Sequence, residues 1–200
     1  VDITNLVMLE IGNPLHAFDR KKVTGGKIFV RPAREKEKLE LLGEKTLILN
    51  KKDMVIADGE KVLALAGIKG GKHSGIEKDT DEIILEAANF DQFSIRKTRQ
   101  RHNLITESQI RFEKGLSPIL AEKAFCLARK MLERYAGAKF LGWTEAGRPE
   151  NVPQKVTFDL AGAEKLFGEK IDPQEAKKIF SQLGFSVVSA GKKEMKLAVP

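Results

Sequence analysis

Between residues 25 and 87 the chain never runs far without a turn signal, and this limits its fold more than anything else in it. The apolar runs there are KIFV at 27–30, TLIL at 46–49, MVIA at 54–57, KVLALA at 61–66 and IIL at 83–85. Each is too short for a stable helix but long enough for a strand. Gly25-Gly26, Gly43-Glu44 and Asp58-Gly59 punctuate them, and Asp-Gly is among the strongest hairpin signals. Strand pairs with little helix between them predict a sheet-rich first half. The charged run at 32–40, PAREKEKLE, reads as solvated.

Residues 1–19, VDITNLVMLEIGNPLHAFD, read differently: a short helix, a forced stop, then a rigid turn that presents a histidine. Asp2 is placed to cap the helix. Ile3, Leu6, Val7 and Glu10 fall on one mostly apolar face. Gly12 suits a left-handed C-cap, and Pro14 forces Asn13 extended. His16 follows, and with Asn5 it is placed to face one pocket. A half-buried, hydrogen-bonded structural ring fits the same pattern.

Three later stretches carry chemistry. GIKGGKHSG at 67–75 has four glycines in nine residues. Its bare backbone admits a ligand closely, with Lys69, Lys72 and His73 adding charge, while a flexible surface loop is the plain alternative. It is neither a P-loop nor a dinucleotide fingerprint. Glu86 then interrupts an apolar strand ahead of Ala87-Ala88, which is costly unless it is ion-paired or faces a cavity. A helix over 91–102 carries Arg96, Lys97, Arg99 and Arg101, a pattern suited to phosphate contact or to a solvated face. Thr106 and Ser108 follow as small hydroxyl residues.

A long amphipathic helix is expected from Ser117-Pro118 to about Tyr135, stopped by Gly137, with Leu120, Ala124, Leu127, Ala128, Met131, Leu132 and Tyr135 buried. The organisation expected is a first domain over 1–147, a proline-containing linker over 148–154, and a partial module over 155–200. That module shows a strand, two helices and a hairpin, a winged-helix-like pattern. The fold class is therefore α+β: a mixed, sheet-rich domain with flanking helices, then an incomplete α+β unit.

The net charge of +7 and pI near 9.4 fit a polyanionic partner or a solvated surface equally. The single cysteine, Cys126, excludes an intrachain disulfide and reads as a buried helical thiol. No metal-ligand cluster, membrane-spanning run or signal peptide is visible, so the cytoplasm is the default. The missing initiator methionine and an apparent mid-strand end suggest a piece of a longer chain.

VDITNLVMLEIGNPLHAFD, LALAGIKGGKHSG, ILEAANFDQFSIRKTRQRHNL and TESQIRFEKG, in this order and spacing, resemble the B3/B4 domain family of bacterial phenylalanyl-tRNA synthetase beta subunits. Residues after Pro153 resemble the start of the next module, B5. The resemblance implies an editing site that hydrolyses tyrosine wrongly attached to phenylalanine tRNA. By it, His16, Asn5, Glu86 and Thr106 match catalytic positions, and Gly67, Gly70, Glu86 and Ser108 match the amino-acid pocket. Glu86 would hold the tyrosine hydroxyl. His16 would act as general base or only place water, with the tRNA's terminal ribose hydroxyl as rival. Lys69, Lys72, Arg96, Lys97, Arg99 and Arg101 would hold the acceptor end. It also implies an alpha subunit in an α2β2 assembly. No cofactor is implied for these residues, ATP and Mg2+ belonging to the whole enzyme. One departure stands out: the family's Thr-(Glu/Asp)-Ala-Ser-His-Arg is here Thr106-Glu107-Ser108-Gln109-Ile110-Arg111. It motivates the alternative of an editing-inactive tRNA-binding or structural module. A free-standing aminoacyl-tRNA deacylase is the other.

Overall fold

The computed structural model describes every residue except 44, 148–153 and 192. The expected linker, 148–154, therefore lies outside the described residues apart from Gln154. The chain divides into two compact units, 1–147 and 148–200. Both are mixed α+β, as the sequence indicates.

The first unit opens on α1 (Asp2–Ile11), closed by Gly12 at φ 86° with its N–H on the Met8 carbonyl. Asp2 does not cap it; it lies in the first turn and no side chain bonds the N-cap. Its buried row is Ile3, Val7 and Ile11 rather than the face expected, and Leu6 is 50% exposed. The cause is α4 (Ile119–Ala136), which lies along that i, i+4 row. Its buried contacts, Ala124 and Ala128, are small and allow a close approach. Gly137 ends α4 in the left-handed region. Tyr135, expected inside, is exposed. Cys126 is exposed too: two residues from either alanine, it sits on the opposite side of the helix.

Residues after Pro14 form a strand rather than a turn. β1 (Leu15–Asp19) pairs antiparallel with β8 (Ile83–Ala87). Glu86, expected to break that strand, is inside it. Asn13 is buried, and its amide donates to the Pro14 and Ala88 carbonyls, tying the two ends of the ribbon together.

β2 (Phe29–Pro32), β5 (Met54–Ala57), β6 (Val62–Leu65) and β7 (Lys69–Gly70) form a four-stranded sheet in that order. The Asp58-Gly59 turn joins β5 and β6, with Asp58 accepting from the N–H groups of Glu60 and Lys61 at 2.8 Å each. The glycine-rich stretch is thus no free loop: it gives β7 and a 3-10 turn, Lys72–Ser74. β3 (Lys38–Glu40) pairs with β4 (Thr46–Ile48). The charged run was expected to be solvated, but Leu39 in its midst is 3% exposed and joins the main core with Leu41, Leu47 and Leu49. Alternation in a strand hides one apolar residue among charges.

α2 (Gln92–His102) starts at Asp91, which accepts from Ser94 N. α3 (Glu107–Phe112) starts at Thr106; the sequence reading contained no helix there.

In the second unit β10 (Ser186–Ala190), β11 (Glu194–Ala198) and β9 (Lys155–Asp159) form an antiparallel sheet in that order. α5 (Leu160–Phe167) is capped by Asp159, and α6 (Pro173–Gln182) by Asp172 with proline at its start. Leu160, Ala176, Met195 and Leu197 are its buried centre.

Candidate functional site

The ribbon of β1 and β8 puts His16 directly across from Glu86. Opposed residues of an antiparallel pair project from the same face at close range. Opposite them the β6–β7 turn brings Gly67 to Gly70, and α3 contributes Ser108 and Phe112. These elements surround a small cleft, part of it open to solvent. A larger groove beside β2 and α2 is mostly apolar, and its charged residue, Asp91, is committed to capping α2.

Among the described residues, neither Glu86 nor His16 has a side-chain hydrogen-bond partner in the cleft. Burial pushes the Glu86 carboxyl up to about 7. The imidazole of His16 is held below its ordinary value, also by burial, and its Nε2 is buried without a hydrogen bond among the described residues. The ring is fixed by an edge-on contact with Phe18, 4.5 Å between centroids. A carboxyl near neutrality and a neutral imidazole across one strand pair can accept or give protons at pH 7.

The two site glycines do different things. A Cβ on Gly70 would lie 2.7 Å from His16 Cε1 and 2.9 Å from Nε2, so its bareness makes room for the histidine ring. Gly67 has φ +66°, and a Cβ there would meet Ile95 and Phe90 at 2.7 Å. Its bareness serves the turn and the packing behind it, while its backbone lines the cleft.

Lys69 and Ser108 line the cleft as well. Asn5 and Thr106 do not. Asn5 is exposed on α1: a helical position fixes only its own face, and the ribbon carried His16 elsewhere. The Thr106 hydroxyl is used structurally, donating to the Ile68 carbonyl at 2.9 Å and accepting from Gln109 N at 3.1 Å. It pins the start of α3 to the β6–β7 turn and so positions Ser108.

The expected phosphate-binding set divides likewise. Arg101 is paired with Asp53, which is fully buried and also accepts from His102 Nε2 at 2.9 Å and Asn50 N at 3.0 Å. Arg101 therefore anchors the end of α2 instead of facing a ligand. Asp53 escaped the sequence reading, because a lone aspartate after two lysines gives no sign of burial. Lys72 is held by Glu40 at 2.7 Å. Arg96 is exposed, with one long contact of 3.3 Å to the Glu113 carbonyl. Lys97 is exposed and Arg99 half-buried.

Among the described residues no cluster of three or more His, Cys, Asp or Glu is placed to hold a metal, and no helix is long and apolar enough to cross a membrane.

Against this geometry the comparisons are specific. The B3/4 domain model matches residues 1–137. The phenylalanine–tRNA ligase beta subunit of Lactobacillus johnsonii is 39% identical over all of this chain and 25% of its own length. That of Lactobacillus acidophilus is 40% identical over 96% of this chain and 24% of its own. That of Yersinia pestis is 37% identical over the same shares. The chain thus spans about a quarter of the length of these relatives. An N-terminal fragment of the Pyrococcus horikoshii phenylalanyl-tRNA synthetase beta-subunit covers 98% of this chain and 58% of its own, at 16% identity and TM-score 0.45. That likeness is too loose to carry an argument.

Proposed function

The chain belongs to the B3/4 domain family, and on that premise we propose that residues 1–147 form an editing module of a phenylalanine–tRNA ligase beta subunit, hydrolysing tyrosine mischarged onto phenylalanine tRNA. The observation that carries this reading is the unpaired Glu86 carboxyl lining a small, partly open cleft beside a neutral His16.

Tyrosine and phenylalanine differ by one hydroxyl. Glu86, which lines the cleft, meets the phenol O–H. Phenylalanine in the same place leaves that carboxyl buried and unpaired, a penalty that supports discrimination of about 10⁴-fold. The backbone of residues 67–70 lies bare against the ring. A water oxygen attacks the ester carbonyl, the carbonyl–oxygen bond to the tRNA ribose breaks, and tyrosine and free tRNA leave. His16 is the group placed to orient that water or take its proton. Lys69 at the cleft, with Arg96 and Lys97 exposed on α2, supplies positive charge for the acceptor end. Asn5, Thr106, Lys72 and Arg101 have supporting parts at most.

The reading carries further consequences: tRNA as substrate carrier, an alpha subunit as partner in an α2β2 assembly, a cytoplasmic location, and residues 155–200 as the start of the next module. ATP and Mg2+ would serve an aminoacylation site outside these residues.

The test is deacylation of tyrosine-charged and phenylalanine-charged phenylalanine tRNA by the whole enzyme, with Glu86→Ala beside it. Rapid loss of tyrosine alone, abolished or made indiscriminate by Glu86→Ala, supports the reading. Tyrosine release no faster than the uncatalysed rate overturns it and leaves a tRNA-binding or structural module.

A further inference from the structure

We infer that Ser108 is a second specificity residue of this cleft, its hydroxyl donating a hydrogen bond to the same phenol oxygen whose proton Glu86 accepts; this rests on the editing reading above. Ser108 lines the cleft with Glu86. Neither side chain makes a hydrogen bond to any described residue. A small cleft that presents two polar side chains without a protein partner is complementary to a polar ligand group.

The hydrogen-bond inventory narrows the choice. A phenol hydroxyl offers one donor and accepts at its oxygen, as Tyr does in proteins. In its ionised form the Glu86 carboxyl accepts, and a serine hydroxyl donates. One phenol therefore satisfies both residues. A bare phenyl ring satisfies neither. Ser108 is also held in place: Thr106 ties the first turn of α3 to the Ile68 carbonyl and to Gln109 N. Phe112, one turn along the same helix, lines the cleft and packs edge-on against Phe90 at 5.0 Å. The serine is thus presented by a fixed helix.

The experiment measures kcat/KM for release of tyrosine and of phenylalanine from phenylalanine tRNA, using the whole enzyme and its Ser108→Ala and Ser108→Cys variants. Thermal unfolding of each is followed in parallel. Loss of one neutral hydrogen bond predicts a fall of about 5- to 10-fold for tyrosine in both variants, with phenylalanine unchanged. Cysteine keeps the volume but is a weak donor, so it separates hydrogen bonding from filling. If the wild type releases tyrosine and both variants match it, Ser108 does not read the hydroxyl. If Ser108→Ala accelerates both substrates alike, the serine only sets the cleft's size, and the inference fails. A wild type that releases neither amino acid overturns this inference together with the editing reading.

Discussion

Replacing Glu86 by glutamine should stabilise the first unit, and by an amount that depends on pH. The carboxyl is raised from 4.5 to about 7 by burial. The folded form therefore keeps its proton to a higher pH than the unfolded chain. Below about pH 4.5 both forms are protonated and the group is neutral in its effect. Above about pH 7 both forms are ionised; between about pH 4.5 and 7 the unfolded chain is ionised while the folded carboxyl still holds its proton. Stability is lost across that window. At about 1.4 kcal/mol per pH unit the full cost is about 3 kcal/mol at pH 8, an upper value since the cleft is partly open to solvent. Glutamine is uncharged at every pH and close in shape. Urea unfolding of wild type and Glu86→Gln, followed by the single tryptophan, Trp143, is run at pH 4.5, 6 and 8. Other carboxylates shift both curves equally, so only the difference is read. It should be near zero at pH 4.5 and reach about 2–3 kcal/mol in favour of glutamine at pH 8. A difference that stays constant with pH, or favours glutamate at pH 8, would refute a desolvated Glu86. Such a cost is expected of a group retained for binding rather than stability.

Three further outcomes follow from the same geometry. Asp53→Ala, which strands Arg101 and His102 around a buried position, should cost about 3–5 kcal/mol in chemical denaturation; a loss below about 1 kcal/mol would mean the cluster is solvated. Gly70→Ala should displace the His16 ring and depress deacylation far more than stability, whereas Gly67→Ala, at φ +66° and against Phe90 and Ile95, should lower the melting temperature through a cost of about 1–3 kcal/mol. Equal effects of the two glycines on melting would contradict their division of labour. Gln109 is fully buried on α3 with neither amide atom bonded among the described residues, so Gln109→Met should stabilise the unit by about 1–2 kcal/mol; destabilisation in the same unfolding assay would show that the amide is satisfied.

Local chemistry made much of the fold legible. Gly12, Gly137 and Asp58-Gly59 stop or reverse the chain by backbone geometry. Asp91 and Asp172-Pro173 start helices by capping. Each acts within four residues, so the sequence alone reveals it. The helix over 107–112 was missed because it is short and its cap, Thr106, was read as a pocket residue. Leu39 was missed because one apolar side chain among lysines and glutamates looks solvated until β4 and the main core cover it.

By itself the sequence determined the α+β class, the run of short strands and most helix ends, and it offered His16, Asn5, Glu86, Thr106, Gly67, Gly70 and Ser108 as candidates for one site. Only the tertiary structure decided which of them meet. Pairing of β1 with β8 set His16 against Glu86 across 70 residues of chain, and burial of Asp53 withdrew Arg101 from the basic face of α2. It likewise left Asn5 outside the cleft and turned Thr106 into a strut. Capping and turn geometry are fixed by neighbours in sequence. Burial, partner choice and the pKa of a carboxyl depend on residues brought together from afar, which no local pattern encodes.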